Sequence, residues 1–300
     1  MENYVPFLVS HWRTVGLISV SIAAGVALGQ LNQTHERAAN KSQRVHTNSS
    51  IKAKQVKRES AIEQINEIED DDEQSLEDQD VLPILFQYEK PSEADSIRRS
   101  EEFYRRMNQR RSVREISSDP VALEVIENII KTGGTSPSGA HTEPWTFVVV
   151  SNLEMKQQIR QIIEAEEEIN YKQRMGDVWV QDLQPVGTTW VKEYLTEAPW
   201  LILIFKQVHG FKRNGQKKIH YYNEISVSIA TGFLLAAIQE AGLVTVTTTP
   251  LNCGPSIRVL LGRPVNEKLL LLLPVGYPKV GATVPDFKRK PLHDIMVHYQ

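Results

Sequence analysis

An arginine cluster, RRSVR, occupies Arg110 to Arg114 just ahead of a helix pattern. Guanidinium groups suit phosphate, because each planar fork can donate two parallel hydrogen bonds to phosphate oxygens. A second basic segment, KRKP from Lys288 to Pro291, is another candidate phosphate contact. Basic segments of this kind are more typical of solvated surface, so each one by itself is a weak indication.

A loop of Pro137, Ser138, Gly139 and Ala140 leads into an apolar, β-branched run from Trp145 to Val150. The run predicts a buried strand, and the residues before it predict a tight turn. Glycine lacks Cβ and lets a ligand approach the main chain, so the loop is a candidate source of backbone donors. The chain contains neither G-x-G-x-x-G nor a Walker-type Gly-Lys-Ser/Thr, which excludes a Rossmann or P-loop site.

Three consecutive threonines, Thr247 to Thr249, precede Pro250 at the predicted end of a strand. Threonine is common in strands, but a run of three at the carboxyl end is less so. Because open sheets bind ligands at that end of their strands, the run is a candidate ligand contact.

Glu167, Tyr171 and Lys192 flank a segment that contains glycine and proline. A carboxylate, a phenol and an ammonium can together bind an amino acid zwitterion. The alternative is that Glu167 and Lys192 only lie on exposed helix faces, as such residues usually do. Composition does not decide between the two.

Composition limits the class of protein. The 300 residues carry a formal net charge of −3, which gives no indication of a nucleic-acid partner. The sequence has a single cysteine, Cys253, which excludes an internal disulfide and a Cys-x-x-Cys metal or redox pair. We predict a structural role for Cys253 and no metal site.

The amino-terminal part contains an uncharged stretch from Thr14 to Gly29, with Trp12 and Arg13 at its edge. The stretch predicts a single-pass membrane helix, because an interfacial aromatic and a cation belong at that boundary. A cleaved signal peptide is the alternative, since small residues lie at the end of the apolar stretch. Basic residues that follow it place the remaining chain in the cytosol under the positive-inside rule.

Three segments are expected along the chain. Residues 1–31 form the membrane anchor, residues 32–85 a polar and acidic linker, and residues 86–300 the folded domain. The linker is predicted to be disordered, because its apolar content is too low to offset the entropy lost on ordering.

Helix and strand patterns alternate in the folded domain. One helix is predicted after an N-cap at Ser118 or Asp119 and before Gly133. Further helices are predicted over residues 154–170 and 223–242, and strands over 145–150, 198–205, 243–249 and 267–278. The pattern indicates an α+β fold in which helices surround one mixed sheet.

Long stretches of this folded part resemble one known family. They include RRSVR, TSPSGAHTEPWTFVVV, EEEINY, WVKEYL, HYYNEISVSIA and GLVTVTTTPLNCGP. On these stretches, from Arg110 to Val297, the chain is similar to the iodotyrosine deiodinase family of nitroreductase-like flavoproteins. The resemblance implies the nitroreductase-like fold, and an amino-terminal anchor with a polar linker also fits the family.

The resemblance implies FMN as the cofactor. It places the phosphate and ribityl part against the arginine cluster and Arg289, and the ring near the loop and the threonines. The Thr249 hydroxyl is implied to hydrogen-bond flavin N5. The residues implied to bind the cofactor are Arg110, Arg111, Ser112, Arg114, Pro137, Ser138, Gly139, Thr247, Thr248, Thr249 and Arg289.

The resemblance also implies the substrate and the reaction. Ala140 offers its backbone N–H to a phenolate, and Glu167, Tyr171 and Lys192 bind an ammonium and a carboxylate; Ala140 and Thr249 are the residues implied in catalysis. The implied reaction is FMN-dependent reductive dehalogenation of mono- and diiodotyrosine to tyrosine and iodide, with NADPH as ultimate electron donor. A general nitro- or quinone-reducing flavoprotein and a non-catalytic, membrane-anchored binder of flavin or halotyrosine are the alternatives.

Two protein partners are implied as well. Members of the superfamily are dimers, so we expect a homodimer, with the small-residue helix of residues 223–242 as the candidate contact. An electron-donating reductase that the sequence does not identify is expected, because the chain has no nicotinamide-binding fingerprint.

Overall fold

The computed structural model describes residues 82–212 and 214–300. Lys90–Gln300 form one compact unit, and residues 82–89 contain neither helix nor strand. The predicted membrane anchor and all but the last residues of the predicted linker lie outside the described residues. Within the described ranges, no helix is both long enough and apolar enough to cross a membrane.

Eight α-helices lie in the described part of the chain. The first begins at a capping residue, because the Ser92 hydroxyl accepts a hydrogen bond from the amide of Asp95 at 3.1 Å. In chain order they are α1 Glu93–Asn108, α2 Leu123–Gly134, α3 Leu153–Ile169, α4 Gly176–Leu183, α5 Tyr194–Glu197, α6 Asn223–Glu240, α7 Gly254–Leu260 and α8 Leu292–Ile295.

The main sheet has four strands in the order β1-β2-β6-β5, and a separate hairpin is formed by β3 and β4. All three ladders of the main sheet are antiparallel. A parallel bridge between Ser112 and Thr245 makes the sheet mixed, as predicted. The strands are β1 Trp145–Val150, β2 Trp200–Gln207, β3 His209–Phe211, β4 Lys217–Ile219, β5 Val244–Thr245 and β6 Glu267–Gly276.

The core lies on both faces of β2, whose residues 201–205 are all fully buried. Leu201, Leu203 and Phe205 pack in one hydrophobic cluster, while Ile202 and Ile204 pack in the other. This alternation follows from the two-residue period of a strand covered by helices on both sides. The predicted run of apolar residues therefore forms the central strand of the sheet.

The predicted strand over residues 243–249 is wrong in length. Only Val244–Thr245 pair in the β5 ladder, and Thr248 makes one isolated bridge with Leu272. On the other side of β5, the carbonyl of Thr245 accepts a hydrogen bond from the amide of Val113, in the arginine cluster, at 3.1 Å. The short strand thus joins the sheet to a segment more than a hundred residues earlier.

The predicted ends of α2 are also wrong. Its N-cap is Ala122 without a side-chain cap, because Asp119 forms its own small turn with Ser117. Gly133 lies inside the helix and not beyond it. A Cβ atom at Gly133 would lie 2.5 Å from Cδ2 of Leu234 on α6, so this glycine permits close approach of the two helices.

We expect Gly133→Ala to lower the free energy of unfolding by about 1–3 kcal/mol, because its methyl group overlaps fully buried Leu234. Gly134→Ala is the matched control: no atom lies within 4 Å of its Cβ position, and alanine favours the helix. Urea unfolding followed by circular dichroism measures both. Equal loss of stability in the two variants would contradict the close packing of α2 on α6.

Candidate active site

The arginine cluster meets the basic carboxyl-terminal segment. Arg289 donates through Nη2 to the carbonyl of Arg110 at 2.7 Å and through Nη1 to that of Asn108 at 2.9 Å. Arg111 donates to the carbonyl of Pro285. Burial and the nearby charges of Arg289 and Arg111 lower the pKa of Arg110. Three guanidinium groups are therefore held close together, an arrangement that suits a polyanion such as phosphate.

The loop before β1 has an unusual backbone. Ala140, His141 and Glu143 all adopt positive φ, at 49°, 51° and 44°. Few non-glycine residues do so, and the cost persists only where surrounding contacts hold the conformation. Here the Ser138 hydroxyl accepts from the amide of Glu143 at 3.0 Å, and Gly139 donates to the Ser226 hydroxyl at 3.3 Å.

The requirement for glycine at position 139 has a cause that the sequence did not reveal. A Cβ at this position would lie 2.8 Å from the carbonyl oxygen of Tyr221, so glycine is needed for contact with the chain's own backbone. The expected approach of a ligand to Gly139 stays a prediction. Pro137 and Ala140 in the same loop are exposed.

The three threonines alternate in exposure. Thr248 is buried, and its hydroxyl lies 3.5 Å from that of Tyr194, whereas Thr247 and Thr249 are exposed. Burial raises the pKa of Tyr194, which therefore stays a neutral phenol. Of the three side chains, those of Thr247 and Thr249 are thus available to a ligand.

Glu167 and Lys192 come together as a buried ion pair. Nζ of Lys192 lies 3.7 Å from Oε2 of Glu167, and the two side chains are only 6% and 11% exposed. The interpretation that they lie on exposed helix faces is therefore wrong. Tyr171 lies above this pair, since Lys192 Nζ is 5.8 Å from its ring centroid. The structure thus assembles all three residues expected to bind a zwitterion.

Glu167 and Tyr171 lie on either side of the junction between α3 and a π-helical turn, Asn170–Arg174. Such turns insert an extra residue and occur frequently at functional sites. The turn aims the Tyr171 ring at two tryptophans, Trp179 and Trp190, with centroid distances of 4.9 and 5.9 Å. Tyr171, which lies over the lysine of the ion pair, therefore packs edge to face against both tryptophans, and Trp179 belongs to α4.

Lys192 is stabilised as a cation only in part. Burial lowers its pKa, the carboxylates of Glu167 and Glu164 oppose that shift, and the charge of Arg114 adds to it. Its ammonium group donates to Thr188 Oγ1 at 3.2 Å. It also donates to the carbonyl of Thr189. Because its carboxylate partner is 3.7 Å away and its two closer acceptors are uncharged, this buried cation favours an anionic ligand.

Arg114 belongs to the arginine cluster, but its charge is felt by the pair. Burial raises the pKa of Tyr171 and of Tyr194, and the positive charge of Arg114 opposes both shifts. The same charge adds to the burial that lowers the pKa of Lys192, so the guanidinium acts on all three groups. Its Nε is buried and has no hydrogen-bond partner among residues 82–212 and 214–300. A buried donor of this kind requires an acceptor, because leaving it unpaired costs about 1–3 kcal/mol.

The Nitroreductase family model matches residues 107–277. Human iodotyrosine deiodinase 1 is 65% identical over 229 residues, which are 76% of this chain and 79% of the human protein. The rat enzyme is 66% identical over 229 residues, with coverage of 76% and 80%.

The chain belongs to the iodotyrosine deiodinase branch of the nitroreductase family. A crystal structure of oxidized iodotyrosine deiodinase bound to FMN and 3-iodo-L-tyrosine matches with a TM-score of 0.55 and 30% identity. The match covers 66% of this chain and 98% of that one. The predicted nitroreductase-like α+β fold is thereby confirmed for the folded part.

The site residues expected from the resemblance fall into two groups in the structure. Arg110, Arg111 and Arg289 form one group, while Arg114, Glu167, Tyr171 and Lys192 form a second. In hydrogen bonds between described residues, the loop is held by α6 and by itself. The cofactor and substrate roles expected of these residues, and the catalytic roles of Ala140 and Thr249, stay predictions.

Sequence reasoning missed Tyr194 and Glu164. Tyr194 is within the stretch WVKEYL that carries the resemblance, but a lone tyrosine before an apolar residue gave no sign of contact with Thr248. Glu164 is one of several acidic residues on α3, and only the fold shows that it accepts from the amide of Lys192 at 2.6 Å.

Cys253 is fully buried, and burial raises the pKa of its thiol to about 12. Its Sγ contacts the carbonyl of Leu251 at 3.2 Å. A thiol in this state is a poor nucleophile, because the thiolate is the reactive form. These contacts agree with the structural role expected of it.

We expect iodoacetamide at pH 8 to leave Cys253 of the folded protein unmodified, because almost no thiolate is present. The same reagent in urea modifies the exposed thiol. Since the sequence has a single cysteine, intact mass spectrometry reports this residue alone. Rapid stoichiometric alkylation of the folded chain would contradict its burial.

Proposed function

We propose that this protein is an FMN-dependent dehalogenase that converts mono- and diiodotyrosine to tyrosine and iodide. One observation carries the proposal: a buried carboxylate and a buried ammonium, Glu167 and Lys192, lie 3.7 Å apart beneath Tyr171. A general nitro- or quinone-reducing enzyme needs no such pair, whereas an amino acid substrate presents the complementary ammonium and carboxylate.

The described residues fit FMN. The clustered guanidinium groups of Arg110, Arg111 and Arg289 suit its phosphate. Two buried polar atoms, Nε of Arg114 and Oγ of Ser136, lack partners within the part of the chain that the structure describes. FMN offers oxygen and nitrogen atoms that could satisfy both. When bound and reduced, FMN supplies the two electrons that, with a proton, replace carbon–iodine by carbon–hydrogen and release iodide.

The residues of the zwitterion site bind and orient the substrate. Glu167 accepts from its ammonium group, and Lys192 donates to its carboxylate in place of the bond to Thr188. Tyr171 covers the site with Trp179 and Trp190, which excludes water and strengthens both ionic contacts. The substrate ring is thereby held at one end, and its hydroxyl points away from the ion pair.

The backbone N–H of Ala140 donates to the phenolate oxygen at the other end of the substrate. An ortho halogen withdraws electron density and lowers the phenol pKa, so a halotyrosine is more anionic than tyrosine near neutral pH. A backbone N–H favours this phenolate over the neutral phenol of tyrosine. The positive φ of Ala140, fixed by neighbouring hydrogen bonds, keeps this peptide group in one orientation without reorganisation.

The reaction is tested with the full-length protein loaded with FMN and reduced by dithionite without oxygen. We expect it to release iodide from diiodotyrosine, whereas a protein that only binds flavin or halotyrosine releases none.

Glu167→Gln is expected to lower kcat/KM for diiodotyrosine about tenfold or more, since it removes a charged acceptor of the substrate ammonium. Reduction of a nitroaromatic compound without an amino acid group should be unchanged.

Glu168→Gln is the matched control, because Glu168 lies beside Glu167 on α3 but is half exposed and pairs with Lys172. It should behave as wild type with both substrates. Wild-type protein that reduces the nitroaromatic but releases no iodide would favour the general reductase. Equal effects of Glu167→Gln on both substrates would contradict the role of Glu167 in substrate selection.

We also propose a homodimer formed through α6. Ile225, Ile229 and Phe233 recur every four residues on its solvent side and are 59%, 42% and 39% exposed. Ser228 and Gly232 lie between them and are exposed as well. An exposed apolar stripe with small residues suits helix packing against a second copy.

Sedimentation velocity of the full-length protein in detergent tests the dimer. We expect wild type to sediment as a dimer and Ile229→Glu as a monomer with weakened FMN binding, because a charge in an apolar interface is costly. Val259→Glu is the control, since Val259 is 69% exposed but lies on α7. A monomeric wild type that binds FMN with full affinity would contradict the proposal.

Residues 1–31 are proposed to anchor the chain in a membrane through one helix, with residues 32–85 as linker and residues 86–300 as the cytosolic catalytic domain. The uncharged stretch from Thr14 to Gly29 and the basic residues after it support this arrangement. A cytosolic reductase that draws on NADPH would then supply electrons. Resistance to alkaline extraction together with protease sensitivity in sealed vesicles tests the topology.

A further inference from the structure

One face of α3 carries a row of polar side chains, Lys156, Arg160 and Glu164, spaced four residues apart. This polar row contacts successive points of the segment that contains α5. Nζ of Lys156 donates to the carbonyl of Ala198 at 2.7 Å, and Nη1 of Arg160 donates to the Thr196 hydroxyl at 2.9 Å. The row therefore fixes the segment at several places along one helix.

The end of the row holds the main chain of Lys192. Oε1 of Glu164 accepts from the Lys192 amide at 2.6 Å and from Nε of Arg160 at 2.7 Å. Glu167, one turn further along α3, faces the side chain of the same lysine at 3.7 Å. The helix thus holds Lys192 through its backbone and through its ammonium group.

Charge-assisted hydrogen bonds of this length are stronger than those between neutral groups. Glu164 and Arg160 are only about one quarter exposed, which protects their ion pair from full screening. The ammonium group of the same lysine donates to Thr188 Oγ1 and to the Thr189 carbonyl, so both ends of Lys192 are held. Loss of Glu164 would free the backbone from which this ammonium is aimed.

We propose that Glu164 is a positioning residue for halotyrosine, fixing the backbone of Lys192 so that its ammonium meets the substrate carboxylate. The proposal rests on the proposed function, because it concerns the zwitterionic end of that substrate. Glu164 itself touches neither end of the ligand in this scheme. Its effect should therefore be confined to ligands that carry an amino acid group.

The charges around Lys192 give a second, independent test of the proposal, the pH dependence of ligand binding. Glu164 and Glu167 face it from α3, Arg114 from the arginine cluster, and Tyr171 from the π-helical turn. Burial lowers the pKa of Lys192, and both carboxylates oppose this. Removing the charge of Glu164 lowers that pKa further, so the ammonium form is lost at a lower pH as the solution becomes alkaline.

Binding of 3-iodotyrosine and of 2-iodophenol to the FMN-loaded full-length protein, followed by flavin fluorescence, tests the proposal. Glu164→Ala should raise the Kd of iodotyrosine about tenfold, as expected for loss of a charged hydrogen-bond partner, and leave that of iodophenol within about twofold. Glu164→Gln keeps an acceptor oxygen and should retain near wild-type affinity at pH 7. It should lose that affinity at lower pH than wild type does.

Glu168→Gln is the matched control and should change neither ligand nor the pH profile. Hydrogen exchange of the ligand-free protein gives a readout that needs no turnover: residues 188–196 should exchange faster in Glu164→Ala than in wild type. Unchanged exchange, an equal loss for both ligands, or a Glu164→Gln pH profile that matches wild type would each overturn the proposal. Wild type that binds iodophenol but not iodotyrosine contradicts the proposed function instead, and the exchange result still decides whether Glu164 holds Lys192.

Discussion

The candidate site depends on the burial of two opposite charges, those of Glu167 and Lys192, at a separation of 3.7 Å. Burying an ion pair removes both groups from water, and apolar side chains of similar size would often give an equally stable fold. The distance between Nζ of Lys192 and Oε2 of Glu167 is also too long for a good hydrogen bond. Each group can therefore form a shorter ionic hydrogen bond with a ligand. Fold stability therefore does not explain the pair, whereas the proposed function does, because its substrate carries one ammonium and one carboxylate.

The rest of the fold supplies a rigid frame for this pair. The central strands pack on both faces, and β5 joins the sheet to the arginine cluster through Thr245. The carboxyl-terminal segment returns to the same cluster through Arg289. The strained loop at Ala140 is held by the hydroxyl of Ser138 and by Ser226 of α6. Segments that are remote in sequence thus converge, and local strain is carried by packing elsewhere.

Much of the fold could be predicted from the sequence, because β1, β2 and α6 are long, nearly continuous apolar runs. The ends of α2 could not be predicted, because they depend on local and tertiary contacts. Asp119, an expected N-cap, forms a turn with Ser117, and Gly133 lies inside the helix, where it permits close packing against α6. The resemblance supplied the site residues, but the residues themselves left the roles of Glu167 and Lys192 open. Only the tertiary contacts show their burial, the pairing of Tyr194 with Thr248, and the hold of Glu164 on the Lys192 backbone.

The central claim is that Lys192 is buried in order to receive a carboxylate. Calorimetric titration of the FMN-loaded protein with iodotyrosine and with iodotyramine, which lacks only the carboxylate, tests it most directly. In wild type, iodotyrosine should bind about tenfold or more tightly than iodotyramine, and Lys192→Ala should abolish that difference by weakening iodotyrosine alone. A Lys192→Ala variant that weakens both ligands equally, or neither, would contradict the account.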